Sequence, residues 1–317
     1  MINKDLIISE INKKGKINIS KFIEFCQYGE DGYYIKKNPI GINNDFITSP
    51  EISQMFGEML GIFILNYWEK KIKNKFHLIE LGPGKGTLIA DILRTTKIKK
   101  KFLNDCNITL IETNEKLIEL QKNYLGKLDC PPIEWNQNFE IKNNKIPSII
   151  YSNEFFDCFP VRQFHKKDKW YEKFIKYNSS NKIFNFILRK VNSKKLLKKL
   201  KKFKKAKVAE ISESRIKYFE NICKFIKKNK GIFITVDYGY KDPPSFFSLQ
   251  TVYNHKSTHL FDNIGNQDIT AHVNFNELIN IANKNNLSLE LFCSQKEFLI
   301  SCGIKKRKEM LQKNKNK

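Results

Sequence analysis

The run Ile79-Glu80-Leu81-Gly82-Pro83-Gly84-Lys85-Gly86 constrains this chain more than any other stretch of it. A short apolar strand ends in glycines spaced G-x-G-x-G, and Thr87-Leu88-Ile89-Ala90 then opens a helix. Glycine lets the backbone turn tightly between strand and helix, and it brings a ligand against the main chain with no β-carbon between them. Nicotinamide and flavin enzymes use a related G-x-G-x-x-G turn, so the glycines alone do not choose a cofactor. Three details choose against a dinucleotide: the shorter spacing, Glu80 two residues before the first glycine, and Pro83 stiffening the turn. A pyrophosphate is best held at a helix N-terminus free of nearby carboxylate. A sulfonium amino acid instead carries an ammonium group, which Glu80 can help to hold. The turn points to S-adenosylmethionine.

The residues around the turn predict an α/β architecture. Apolar runs at 76–81, 107–111, 147–152 and 231–236 read as buried parallel strands, with helices at about 86–95, 114–125 and 212–229. Such alternation implies a doubly wound, Rossmann-like sheet whose ligands bind beyond the carboxyl ends of its strands. Glu112 stands at the end of the second strand, where a carboxylate can accept hydrogen bonds from both ribose hydroxyls. Residues 4–29 read as two helices around a turn near Gly15. At Thr48-Ser49-Pro50-Glu51 a capping hydroxyl, a first-turn proline and a carboxylate predict the start of a helix over 50–66. This helix is expected to lid the cofactor, with Thr48, Ser49 and Gln54 nearest to it. The layout is an N-terminal helical lid region over 1–75, a core over 76–303 and a basic tail over 304–317. An insertion at about 160–210 follows the fourth core strand and carries a hairpin (Trp170 to Ile175, Phe184 to Leu188).

The net charge of +24 raises the question of a nucleic-acid or anionic-membrane partner. The cations are nearly all lysine, with arginine only at Arg94, Arg162, Arg189, Arg215 and Arg307. A nucleic-acid reader would keep arginine for bidentate contacts, so the charge reads as a solvated surface. In the basic run Lys194 to Lys207, Leu196, Leu197, Leu200 and Phe203 share one helical face, which reads as an amphipathic helix docked on the core. The seven cysteines show no C-x-x-C spacing and are odd in number, so neither zinc nor a disulfide framework is indicated. The most apolar window, Met55 to Trp68, contains Glu58 and Asn66 and is too short to span a bilayer. With no signal or transit pattern at its N-terminus, the chain is expected to be cytoplasmic.

The fourth strand ends in Asn153-Glu154-Phe155-Phe156-Asp157. Enzymes that methylate exocyclic amines often place a proline after the first residue of such a motif; here Glu154 stands in that position. A carboxylate beside a sulfonium suits a cationic acceptor, and Glu154 with Asp157 can pair with a guanidinium. Phe155 and Phe156 read as core, while Asp237 or Tyr238, ending the fifth strand, is a candidate for the acceptor channel. His272 is a candidate proton acceptor, although a lone histidine is more often a wall or core residue. The candidate cofactor contacts are thus Glu80, Gly82, Gly84, Gly86, Glu112, Asn153, Thr48 and Gln54, and the candidate catalytic groups are Glu154, Asp157 and His272.

Six segments in order carry a resemblance. They are Gly32-Tyr33-Tyr34, the stretch from Asp45-Phe46-Ile47 to Gly57-Glu58, the stretch Glu80 to Leu88, Asn153 to Arg162, Asp237 to Tyr240, and Asp268 to Phe275. On these, residues 28–303 resemble the MidA family of class I methyltransferases. Asn274, Lys85 and Thr113-Asn114 depart from the family's usual aspartate, arginine and Ser-Pro. The resemblance implies a class I methyltransferase fold and a protein substrate: an arginine of a respiratory complex I (NADH dehydrogenase) subunit, dimethylated during assembly. Two alternatives stay open, a methyltransferase acting on RNA or a small molecule and a non-catalytic assembly factor that binds the cofactor.

Overall fold

A computed structural model describes residues 3–36, 48–141, 145–203 and 205–315; the segment Asp45-Phe46-Ile47 lies outside these. Its centre is a five-stranded sheet in the order Gly231–Val236, Ser148–Asn153, Phe76–Leu81, Cys106–Ile111, Ile133–Asn136. All four pairings are parallel. The predicted strands fall within a residue of these bounds. Ile133–Asn136 has no counterpart among the predicted runs, because an edge strand reading Ile-Glu-Trp-Asn presents no apolar block.

Alternation along each strand divides the core between two faces. Leu78, Ile108, Leu110, Ile149 and Tyr151 point to one side, where helices Gln54–Tyr67 and Thr87–Thr96 pack with Leu60, Ile64, Ile89 and Ile92. Ile79, Leu81, Ile111 and Ile150 point to the other, under helices Glu213–Asn229 and Phe275–Lys284. The first strand of this sheet in chain order, Phe76–Leu81, is buried along its whole length at the sheet centre. From it the chain winds outward first to one side and then to the other. That reversal opens a crevice beyond Leu81, Ile111 and Asn153.

The N-terminal extension and the insertion share one second sheet. Ile17–Asn18 pairs antiparallel with Trp170–Asn178, which also pairs with Ile183–Lys190 and Arg162–Lys166; the last pairs with Val208–Ile211. Ile7, Ile11, Phe22, Ile23 and Cys26 of the extension pack on Ile175, Phe184 and Ile269. Arg162 crosses the sheet with a bidentate pair to Glu172, Nε and Nη2 each donating at 2.7 Å. The basic run is helical over Lys194–Leu200 and closes with one 3-10 turn, Lys201–Phe203, short of the predicted end at Lys207. Leu196, Leu200 and Phe203 are buried against Phe164 and Ile211, as a docked amphipathic helix requires.

The predicted helix over 50–66 is interrupted once. A short helix, Ser49–Ile52, ends at Ser53, whose extended backbone (φ −156°, ψ 127°) restarts the chain as Gln54–Tyr67. Ser53 Oγ accepts from Met55 N at 3.2 Å and so caps the second helix. The short helix is thereby freed to tip over the crevice. Among the described residues no helix is long and apolar enough to cross a membrane.

Candidate active site

The crevice holds a cavity of about 600 Å³. Its floor is the glycine turn. Gly82 and Gly84 have φ of +64° and +57°, and a β-carbon on Gly82 would lie 2.8 Å from Phe155 Cδ2. Glycine is needed there both for the left-handed backbone and for the close approach of that ring. Gly82 N donates to Ile111 O at 3.0 Å, and Gly84 O accepts from Gln121 Nε2 at 2.7 Å, which locks the turn against the second strand. Gly86 (φ +82°) ends the turn as the residue preceding helix Thr87–Thr96 and is not a wall residue.

Glu80, Glu112 and Asn153 converge on the cavity from three adjacent strands. Glu80 is buried, and its Oε2 accepts from Tyr151 Oη at 3.0 Å. Burial pushes its carboxyl up to about 8, against the pull of the tyrosine hydroxyl. Glu112 Oε1 accepts from the backbone amides of Thr113 and Asn114 at 2.8 and 2.9 Å, and Oε2 lies 3.5 Å from Gln121 Nε2. Burial raises this carboxyl too, and those donors moderate the rise. Asn153 Nδ2 donates to Glu154 Oε1 at 3.2 Å, while its Oδ1 is buried with no partner among the described residues. A buried orphan acceptor is uncommon in a folded protein and asks for a donor. Two carboxylates, an orphan oxygen and a glycine cradle suit S-adenosylmethionine, with Glu80 and Asn153 placed for an ammonium and Glu112 for a ribose.

This arrangement has a proton-linked consequence. A cationic ligand beside Glu80 favours the ionised carboxylate, so binding lowers its pKa from about 8 and expels a proton near neutrality. Affinity for S-adenosylmethionine should therefore rise as pH goes from about 6 to about 8. Calorimetric titration at neutral pH in two buffers of different ionisation enthalpy reads the released proton directly. Glu80→Gln should erase the buffer dependence, and its absence in the native protein would dismiss Glu80 as an ammonium ligand.

Glu154, at the end of the fourth core strand, also lines the cavity. It is a non-glycine residue at φ +48°, held there because its N–H donates to Val236 O at 2.9 Å. Strained backbone of this kind persists where surrounding structure enforces it, commonly at working sites. Its Oε1 also accepts from Ser49 N at 3.5 Å, and burial raises its pKa. Thr48, which precedes the short helix, and Pro50 and Glu51 within it roof the cavity. Glu51 latches that roof, accepting from the Thr87 hydroxyl and pairing with Lys85 Nζ at 3.5 Å.

Four expected residues are placed elsewhere. Asp157 is not on the cavity wall but buried behind it, near Asp237, Asp268 and Arg215. Burial, and then those two aspartates, push its carboxyl up, so it is no second partner for a guanidinium in the cavity. Asp237 Oδ2 accepts from the backbone amides of Phe156 and Asp157 (2.8 and 3.3 Å), so it holds the turn and does not line a channel. His272 is likewise off the wall: its backbone N–H donates to Ser248 Oγ and its carbonyl accepts from Arg215. Gln54 is exposed and reaches Glu58 at 3.4 Å, a helical turn away from the roof. The cause is common to the first and third: the buried Arg215 guanidinium binds the carbonyls of Phe156, Ala271 and His272 and draws both segments below the cavity.

The cavity wall also includes groups that sequence reasoning missed. Gln137 and Asn138 follow the unpredicted edge strand; Phe155, read as core, packs over Gly82; and Glu24, Tyr28 and Tyr34 come from the N-terminal extension. Among the described residues the charged groups of the wall are Glu24, Glu51, Glu80, Glu112, Glu154 and Lys85, five carboxylates against one lysine that is already paired with Glu51.

Comparison with known proteins shows the fold and the family. A crystal structure of a "superfamily member and likely methyl transferase from Burkholderia thailandensis bound to S-adenosyl-homocysteine" superposes with a TM-score of 0.84 at 22% identity, covering 96% of this chain and 82% of that one. Among curated proteins, the mitochondrial "Protein arginine methyltransferase NDUFAF7" of Mus musculus is 29% identical, covering 96% of this chain and 75% of its own length. Its Caenorhabditis elegans homolog is also 29% identical, over 96% and 77%. Residues 59–293 match the sequence model of a family described as "Putative S-adenosyl-L-methionine-dependent methyltransferase". That match spans most of the chain, and the protein belongs to this family: it is an S-adenosylmethionine-dependent methyltransferase.

Proposed function

We propose that the enzyme methylates the guanidinium of a protein arginine. The observation that carries this reading is the charge of the cavity wall, five carboxylates to one lysine among the described residues, in a chain of 57 basic and 33 acidic residues. Glu80 and Glu112 are assigned to the cofactor, Glu51 belongs to the roof latch, and exposed Glu24 is paired with Lys21 at 2.8 Å, which leaves Glu154 for the acceptor. A phosphate-bearing RNA is disfavoured by the same wall. The names of the similar curated proteins support an arginine acceptor, and the MidA resemblance supports a respiratory complex I subunit as its carrier.

S-adenosylmethionine supplies a methyl group made electrophilic by its sulfonium. Glu154 binds the guanidinium in its own plane and turns one nitrogen toward that methyl, where alignment at contact distance supplies most of the acceleration. As the new N–CH₃ bond forms, the methyl's bond to sulfur breaks, its electron pair stays on sulfur in the product S-adenosylhomocysteine, and the acceptor nitrogen loses one proton. Glu154 takes it, and its raised pKa makes it a stronger base than an exposed carboxylate.

The test is transfer of isotope-labelled methyl from S-adenosylmethionine to arginine-bearing protein fractions, including complex I subunits, with mass spectrometry to locate the label. Label on arginine, falling roughly 100-fold in rate in Glu154→Gln with cofactor affinity retained, is the expected result. Label confined to lysine, RNA or small molecules would overturn the arginine reading.

A further inference from the structure

Helix Ile19–Tyr28 divides its faces between core and cavity. Ile19, Phe22, Ile23 and Cys26 are buried in the extension's own core. Ser20, Glu24 and Tyr28, spaced four apart, form one stripe along the cavity wall. At the end of that stripe the Tyr28 ring stacks on Tyr34, with centroids 5.9 Å apart and planes 25° from parallel.

Both rings are held in place by their hydroxyls. Tyr28 Oη donates to Cys158 O at 2.9 Å, and Tyr34 Oη donates to Asp268 Oδ1 at 2.6 Å. Tyr34 O also accepts from Asn114 Nδ2 at 2.8 Å, and Asn114 N donates to Glu112. The ring pair is therefore fastened to the acceptor turn on one side and to the ribose-binding carboxylate on the other. With both hydroxyls engaged, it offers the cavity aromatic surface, and Glu154 lines that same cavity. A planar, weakly hydrated guanidinium can stack on such a surface while pairing edge-on with a carboxylate; a compact, strongly hydrated ammonium gains little from it.

We propose that Tyr28 and Tyr34 are the specificity-determining residues of the acceptor site, selecting a guanidinium over an ammonium. This rests on the arginine reading and adds to it how the acceptor is chosen. The N-terminal extension is then a working part of the site: without its two rings, Glu154 would accept any cation that reaches it.

The experiment uses the whole protein saturated with S-adenosylhomocysteine, titrated by NMR with n-propylguanidinium and with n-propylammonium. The native protein should bind the guanidinium roughly tenfold more tightly. Tyr28→Leu should bring the two cations to near parity, whereas Tyr28→Phe, which keeps the ring, should retain the preference. Tyr34→Leu gives the same reading if Tyr28→Leu does not fold, with S-adenosylhomocysteine binding as the check on folding. Equal affinities in the native protein, or a preference that survives both leucine variants, would overturn the proposal. If guanidinium binding depends on Glu154 but not on either ring, only this proposal falls; if neither cation binds, the arginine reading falls with it.

Discussion

Glu112→Ala is expected to weaken S-adenosylmethionine binding by at least about 100-fold. A hydrogen bond to a charged group contributes about 1.5–3 kcal/mol, and one carboxylate facing both ribose hydroxyls makes two of them. Alanine also leaves the Thr113 and Asn114 amides without the Oε1 that joins them to the strand end. Glu112→Gln separates the two effects, since it keeps an acceptor for those amides but loses the charge; a loss near tenfold is expected. Calorimetry of the three proteins makes the comparison. An alanine variant binding within about threefold of native would remove Glu112 from the cofactor site.

Gly231→Ala is expected to destabilise the fold by about 4 kcal/mol and lower the melting temperature by roughly 10 °C. Gly231 opens the outermost parallel strand at φ +129°, a backbone region that side chains rarely enter. An added β-carbon would sit 1.9 Å from the carbonyl oxygen of Ser148, an atom of the neighbouring strand with no freedom to retreat. The strand must then shift, and it carries Val236, whose carbonyl fixes the backbone of Glu154. Calorimetric unfolding should show the lower midpoint, and methyl transfer should fall in protein that is still folded. A midpoint within about 2 °C of native would mean that the strand start yields more easily than its register implies.

The parts legible in the sequence are those where one local rule decides. Glycine at 82, 84 and 86 follows from a strand-to-helix turn, and runs such as Ile149-Ile150-Tyr151 follow from strands buried on both faces. Glu80, Glu112 and Glu154 reach the cavity wall because each lies at or next to the carboxyl end of one of those runs. What escaped depends on contacts between distant segments. Ile133–Asn136 is a strand only because Cys106–Ile111 offers it an edge, so Gln137 and Asn138 went unnoticed. Asp157 follows a strand end that does reach the cavity, and His272 is a candidate by its chemistry alone; neither fact tells where the backbone carries the side chain. Arg215, from a helix far along the chain, holds the backbone of both segments beneath the cavity. Nor could helical spacing alone have shown that Ile17–Asn18 would join the insertion's sheet and thereby bring Tyr28 to the wall.

The acidic cavity lies inside a chain whose formal net charge is +24. An approaching cation therefore meets two fields of opposite sign at different ranges. At low ionic strength, where the Debye length reaches about 30 Å, the summed lysine surface turns it back from afar, and close in the carboxylates capture it. Salt screens the outer field first, because the inner contacts are close and partly desolvated. For a cationic acceptor, encounter should then quicken as ionic strength rises, over a range in which oppositely charged partners ordinarily meet more slowly.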